Sequence, residues 1–168
     1  ITDAAINIFP TLEDKVDIIQ NAIELAQALG VEVPKAAILS AVETINPKLN
    51  STIEAAALCK MADRGQITGG LVDRPLAFDN AISKAPAKTK KIPSAVAGDA
   101  DILVAPDLEA GNMIAKQLVY LAGADCAGIV IGARVPIVLT SRADGALARV
   151  TSCALAQLLH HHNKAVRA

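Results

Sequence analysis

Short, unbroken apolar runs alternate along this chain with longer stretches whose apolar residues recur every three or four positions, and that alternation restricts the fold to an α/β class. The run Lys35–Ser40 (KAAILS) is the clearest of the short segments. Its apolar residues do not alternate with polar ones, so this strand is expected to be covered on both faces, as in a parallel sheet. Further strands are expected at Ala4–Phe9, Ile67–Val72, Ile102–Ala105, Ile129–Ile131 and Ile137–Leu139. Helices are expected between them. The first runs from Thr11, an N-cap with Asp14 in the capping-box position, to Leu29, and it places Val16, Ile19, Ile23 and Ala26 on one face. A second is capped by Ser51 or Thr52 and runs to Ala62, with Gly30 and Gly65 as natural helix stops. Others are expected over 77–84, 108–121 and 144–162. Asp73-Arg74-Pro75 reads as a turn, Gly65–Gly70 as turn glycines, and Ala85–Ser94 as a surface loop whose Lys88, Lys90 and Lys91 are solvated. The expected architecture is α/β, a mostly parallel sheet with flanking helices and right-handed crossovers.

At 168 residues the chain is one domain's worth, or one domain and part of another. Apolar residues make up 52% of it and aromatics only 2%, so the layers must pack through Ala, Val, Ile and Leu. A net charge of −1 indicates neither a nucleic-acid patch nor a polybasic membrane surface. No apolar run reaches the length of a membrane span, and no secretory leader is expected. Cys59, Cys126 and Cys153, odd in number and set among apolar residues, read as reduced core thiols of a cytoplasmic protein with no disulfide or metal role. The chain opens on Ile1 and enters a strand-like segment at once, so an N-terminal portion of a longer polypeptide is expected to be missing.

Several familiar chemistries lack their motifs. No G-x-G-x-x-G follows the first strand, Gly65–Gly70 has no P-loop lysine, and there is no G-x-S-x-G elbow. His160, His161 and His162 project about 100° apart around a helix, so they cannot all face one metal. The informative stretch is Gly128–Asp144 (GIVIGARVPIVLTSRAD), whose second strand ends at Thr140-Ser141-Arg142. Open α/β sheets place ligand chemistry at such strand ends. A hydroxyl beside a guanidinium there suits an anionic substrate, because Arg offers a planar fork of donors. The same residues also read as a polar strand end whose serine caps the next helix.

This stretch resembles the C-terminal signature of the phosphate acetyl/butyryltransferases, which carry an LxSRAD-type strand end. Four other segments resemble the same family in the same order: Ala4–Pro10 (AAINIFP), Lys35–Glu43 (KAAILSAVE), Asp73–Asp79 (DRPLAFD) and Gly98–Asn112 (GDADILVAPDLEAGN). The resemblance runs from about Ala4 to about Ala156 and includes a subgroup fused to an enoyl-CoA hydratase-like domain. It implies a two-domain architecture like that of isocitrate and isopropylmalate dehydrogenases, of which this chain is the C-terminal part. Residues 1–127 would then form the second α/β domain, and residues 128–168 a return of the chain to the first.

The implied activity is reversible transfer of an acetyl or butyryl group between coenzyme A and inorganic phosphate, by a cytoplasmic homodimer. Coenzyme A is a substrate there, and no cofactor is needed. Carried over by position, Ser141 stands near the thiol or carbonyl, and Arg142 binds phosphate. Asp144 fits the same motif, with support of the final helix as its other reading. Asn112 and Lys116, one helical turn apart, match a site-lining pair, with helix–loop packing as theirs. The truncated chain alone is expected to be inactive. A non-catalytic acyl-CoA-sensing or dimerising domain is the alternative reading.

Two departures stand out. Acetyl-specific members have a carboxylate seven positions after the serine, where this chain has Ala148, which makes it more like the butyryl type. Thiol ionisation would then need another group or the site's positive potential. Arg74 replaces a glycine, a substitution read as tolerated rather than as a gain of function, and one that would be strained if the backbone there had positive φ.

Overall fold

The computed structural model describes residues 1–166. Its principal sheet holds three parallel strands in the order β2-β1-β3: β1 (Lys35–Leu39), β2 (Leu71–Leu76) and β3 (Ile102–Val104). β1 is central, and Ala36 to Leu39 are all buried, as an unbroken apolar run requires. Alternate residues serve opposite faces. Ala36 and Ile38 join a core with Ile19, Ile23, Ala55 and Leu58 from α1 (Leu12–Ala28) and α2 (Asn50–Asp63). Ala37 and Leu39 join a second core with Leu76, Ala81, Val96 and Leu103. Ala81 belongs to α3 (Phe78–Ile82), and Ile114 of α5 (Leu108–Ala122) packs against the same cluster. The sheet is therefore covered on both sides.

α1 forms where its sequence signals it. Thr11 is the N-cap: its hydroxyl accepts the Asp14 N–H at 3.2 Å, and the Asp14 carboxylate accepts the Thr11 N–H at 2.8 Å. Ile19 and Ile23 are fully buried, and Gly30 follows the helix at φ +92°. α2 begins two or three residues earlier than expected, with Leu49 rather than Ser51 or Thr52 at its N-cap and no side-chain cap. Thr52 is instead knitted into the preceding loop, its hydroxyl donating toward the carbonyls of Leu49 (2.8 Å) and Asn46 (3.0 Å) and accepting the Asn46 N–H (2.9 Å).

Ala4–Phe9 is not a strand. The Asp3 carboxylate gathers the N–H groups of Ala5 (2.7 Å), Ile6 (3.0 Å) and Asn7 (2.7 Å), which coils the segment. Only Thr2 bridges in parallel to Val104. The second strand also differs. Asp73-Arg74-Pro75 lies inside β2, because β2 is an edge strand and carries a bulge: Ala37 faces Asp73, Ile38 faces Pro75, and Arg74 falls between them. Part of the expected Pro/Lys loop is helical, α4 (Lys84–Thr89). Its next residue, Lys90, is not simply solvated but pairs with Glu43 at 3.1 Å and Asp79 at 3.5 Å.

Beyond α5 the chain forms β4 (Ile129–Val130) and β5 (Ile137–Val138), an antiparallel ribbon separate from the main sheet, and then α6 (Ala146–Val166). Both segments are strands, as expected, and they pair antiparallel with each other. A short connection between them favours a hairpin, whereas parallel neighbours need a long crossover. Cys126 and Cys153 are exposed and only Cys59 is partly buried, so two of the three thiols lie at the surface rather than in the core. No helix among the described residues is long and apolar enough to cross a membrane.

Candidate active site

The order β2-β1-β3 creates a switch point. From β1 the chain crosses to β2 on one side, and it then returns to β3 on the other, so a crevice opens beyond the carboxyl ends of β1 and β3. A cleft of about 530 Å³ occupies this position, within the size range of small-molecule sites. Ser40 follows β1, Asp107 caps α5 after β3, and Asn50, Ser51 and Glu54 come from the start of α2. Phe9, Phe78 and Ile114 supply an apolar side.

The polar side is tightly connected. Ser40 Oγ and Ser51 Oγ lie 2.9 Å apart. The Lys15 ammonium, almost wholly buried, meets the Glu54 carboxylate, which also accepts from Asn50 Nδ2 at 2.7 Å. A buried charge is stable only when paired, and this one is. The sequence marks Ser51 only as a candidate helix cap, and none of Ser40, Ser51, Lys15 or Glu54 as a site residue. They come from segments that are separate along the chain, and the one local signal is that Ser40 ends a buried strand.

The residues singled out in the sequence lie elsewhere. Ser141 and Arg142 are exposed on the turn after β5, and neither lines this cleft. Asp144 closes that turn by accepting the Ser141 N–H at 2.6 Å, and the Ser141 hydroxyl accepts the Ala143 N–H at 3.3 Å. Ser141 is therefore not the cap of α6, and the Asp144 carboxylate points back to Ser141 rather than into the helix. Ala148 is partly buried, and its carbonyl accepts the Ser152 hydroxyl at 2.6 Å. The structure brings Ser141 and Asp144 together but does not bring them to Asn112 and Lys116.

Asn112 Nδ2 donates to the Ala4 carbonyl at 3.1 Å. Beside it, a Cβ on Gly111 would come within 2.2 Å of the Asp3 carbonyl oxygen, so glycine is required there for the N-terminal segment to cross α5. The Gly111-Asn112 pair thus positions residues 3–4, the helix–loop packing reading. Lys116 is exposed on α5.

A second cavity of about 520 Å³ lies between α1 and the β4–β5 connection, lined by Asn21, Glu24, Arg134, His160 and Lys164. Among the described residues no group of three or more His, Cys, Asp or Glu side chains is placed to hold a metal.

Residues 1–157 match the protein family described as phosphate acetyl/butaryl transferase. A phosphate acetyltransferase of Rhizobium meliloti is 64% identical over 167 residues, covering 99% of this chain and 53% of that protein. A phosphate butyryltransferase of Clostridium acetobutylicum is 48% identical over 159 residues, covering 95% of this chain and 53% of that protein. The crystal structure of a branched-chain phosphotransacylase from Enterococcus faecalis V583 superposes with a TM-score of 0.87 at 38% identity, over 95% of this chain and 57% of that one. The chain spans about half the length of the curated relatives it matches. With the family matched along nearly its whole length and the fold shared with a phosphotransacylase, the chain belongs to the phosphate acetyl/butaryl transferase family.

Proposed function

We propose that this chain is the C-terminal part of a phosphate acyltransferase that moves an acetyl or butyryl group reversibly between coenzyme A and inorganic phosphate. The observation that carries this reading is the family match over residues 1–157, on a fold that opens a cleft at the carboxyl ends of its parallel strands. In the proposed reaction a phosphate oxygen attacks the thioester carbonyl, the carbon–sulfur bond breaks, and coenzyme A leaves as products separate into acyl phosphate and thiol. Arg142 neutralises phosphate with its donor fork. Ser141 donates a hydrogen bond near the carbonyl or departing sulfur. Asp144 holds the turn that presents both, Asn112 positions the N-terminal segment, and Lys116 adds a cation on α5. Coenzyme A acts as a substrate, with no resident cofactor.

The domain division follows the same reading. Residues 1–127 form one α/β domain, and residues 128–168 belong to another whose remainder comes from an N-terminal portion of a longer polypeptide, in an isocitrate dehydrogenase-like pair. Supporting this, Ile137, Val138 and Leu139 of the ribbon and Leu147, Val150 and Leu158 of α6 are exposed apolar residues, a surface suited to further packing. The complete protein is a cytoplasmic homodimer in this account.

A second reading, an acyl-CoA-sensing or dimerising domain, is favoured by one observation: Ala148 stands where acetyl-specific members have a carboxylate. The test is CoA-dependent formation of acyl phosphate by the complete protein from acetyl-CoA and butyryl-CoA. Turnover supports the transferase. Coenzyme A ester binding without turnover supports the sensing domain.

A further inference from the structure

The cavity of about 520 Å³ between α1 and the β4–β5 connection is lined by polar side chains that are not committed to one another. In the switch-point cleft, by contrast, Ser40 meets Ser51 and Lys15 meets Glu54. Among the described residues, Arg134, His160 and Lys164 form no ion pair, although the Glu24 carboxylate belongs to the same lining. All three are exposed and so within reach of a solute. The walls come together by close packing. Gly132 stands at φ +89°, and a Cβ there would come within 2.8 Å of Asn21 Nδ2, so the connection can approach α1 this closely only with glycine at that position. Leu159 of α6, also on the lining, is buried. Lys164 lies in the last turn of α6, where it offsets the negative end of that helix. Arg134 is therefore the principal charge left for a ligand. It is also separate from Arg142: Arg134 stands in the connection before β5, Arg142 in the turn after it, and Arg142 does not line this cavity.

We propose that this cavity is a binding site for a phosphate monoester of a hydroxylated carbon chain. The Arg134 guanidinium supplies a planar fork for two phosphate oxygens, and His160, Asn21 and Asn163 supply further donors. Glu24, an acceptor only, takes hydrogen bonds from the hydroxyls, while Pro136 and Leu159 give the carbon chain apolar surface. A concave site with a few convergent polar groups on partly apolar walls is the usual form of a small-molecule site, and its volume is in the usual range. This proposal goes beyond the acyl-transfer reading and does not rest on it.

The experiment titrates the complete protein carrying Arg142→Ala, which removes the phosphate position proposed above, with ribose 5-phosphate, ribose and inorganic phosphate in a calorimeter at low salt. Ribose 5-phosphate is expected to bind at one site per chain, more tightly than inorganic phosphate, and ribose not to bind. Adding Arg134→Ala is expected to weaken the ester by about tenfold or more, as loss of a charge-assisted donor pair requires, and Arg134→Lys to recover part of that loss. Arg134 is exposed, so these variants should unfold at the parent's temperature. No binding of ribose 5-phosphate, or binding that Arg134→Ala leaves unchanged, would overturn the site. Equal affinities for the ester and inorganic phosphate would overturn the assignment of a phosphate monoester as its ligand. Either result leaves the acyl-transfer reading untouched, because no step of this test measures turnover.

Discussion

The hydroxyls of Ser40 and Ser51 meet at 2.9 Å and join the carboxyl end of β1 to the first turn of α2 at the edge of the switch-point cleft. Only one of them donates in this bond, so the other retains a proton for a ligand or solvent. Ser51→Ala removes the bond and is expected to lower stability by about 1 kcal/mol, read from the urea midpoint. It should also weaken substrate binding to the complete protein, which a purely surface substitution would not do.

Lys15, only 4% exposed, depends on Glu54 for its charge partner. Glu54→Gln leaves a buried ammonium without its counter-charge and is expected to cost about 3 kcal/mol or more. The double substitution Lys15→Met with Glu54→Leu should cost less than Glu54→Gln alone, because no buried charge remains. A double-mutant cycle in urea measures both. Equal, small losses throughout would mean that the pair is solvated.

The three thiols should separate by environment. Burial, with Asp73 and Asp63 nearby, pushes the Cys59 thiol up to about 12, so it stays protonated and unreactive at pH 8. Cys126 and Cys153 are exposed. Titration of the native protein with a disulfide reagent is expected to label two thiols rapidly and the third only on unfolding.

Acid should loosen the N-terminal coil. Burial raises the Asp3 carboxyl, but the N–H groups of Ala5, Asn7 and Ile6 and the Asn7 amide outweigh it and hold the group below its ordinary 3.8. A depressed carboxylate contributes stability that is present above the unfolded value and is lost as pH falls through the folded one. The stability difference between wild type and Asp3→Asn is therefore expected to be constant near neutrality and to shrink below about pH 4. The protection of the Ala5 to Asn7 amides against exchange, relative to unstructured amides at the same pH, should fall over the same range. A difference that widens on acidification would contradict this.

The parts of the fold legible in the sequence are those written locally. Thr11 and Asp14 are three residues apart and close their own capping box. The apolar run from Ala36 to Leu39 announces a strand buried on both faces. β2 was not legible in its register, because Arg74 and Pro75 are turn formers locally and become strand residues only through pairing with β1 at a bulged edge. There Arg74 has no positive φ, which removes the strain a glycine position would have imposed. Ala4–Phe9 misled for the opposite reason: its side chains suit a strand, but Asp3 captures its backbone. The cleft was hidden because Lys15, Ser40, Ser51 and Glu54 converge only after three helices and strands have packed. Ser141-Arg142 was legible as a motif, and the structure adds that Asp144 shapes its turn.

The most direct test of the account is the phosphate dependence of acyl transfer by the complete protein carrying Arg142→Ala. Arg142 is exposed on its turn, so the variant should fold as the wild type does. The KM for phosphate is expected to rise at least roughly tenfold, in keeping with the loss of a charge-assisted donor, with the KM for acyl-CoA little changed and partial recovery in Arg142→Lys. An unchanged phosphate KM in a folded, active Arg142→Ala variant would contradict it.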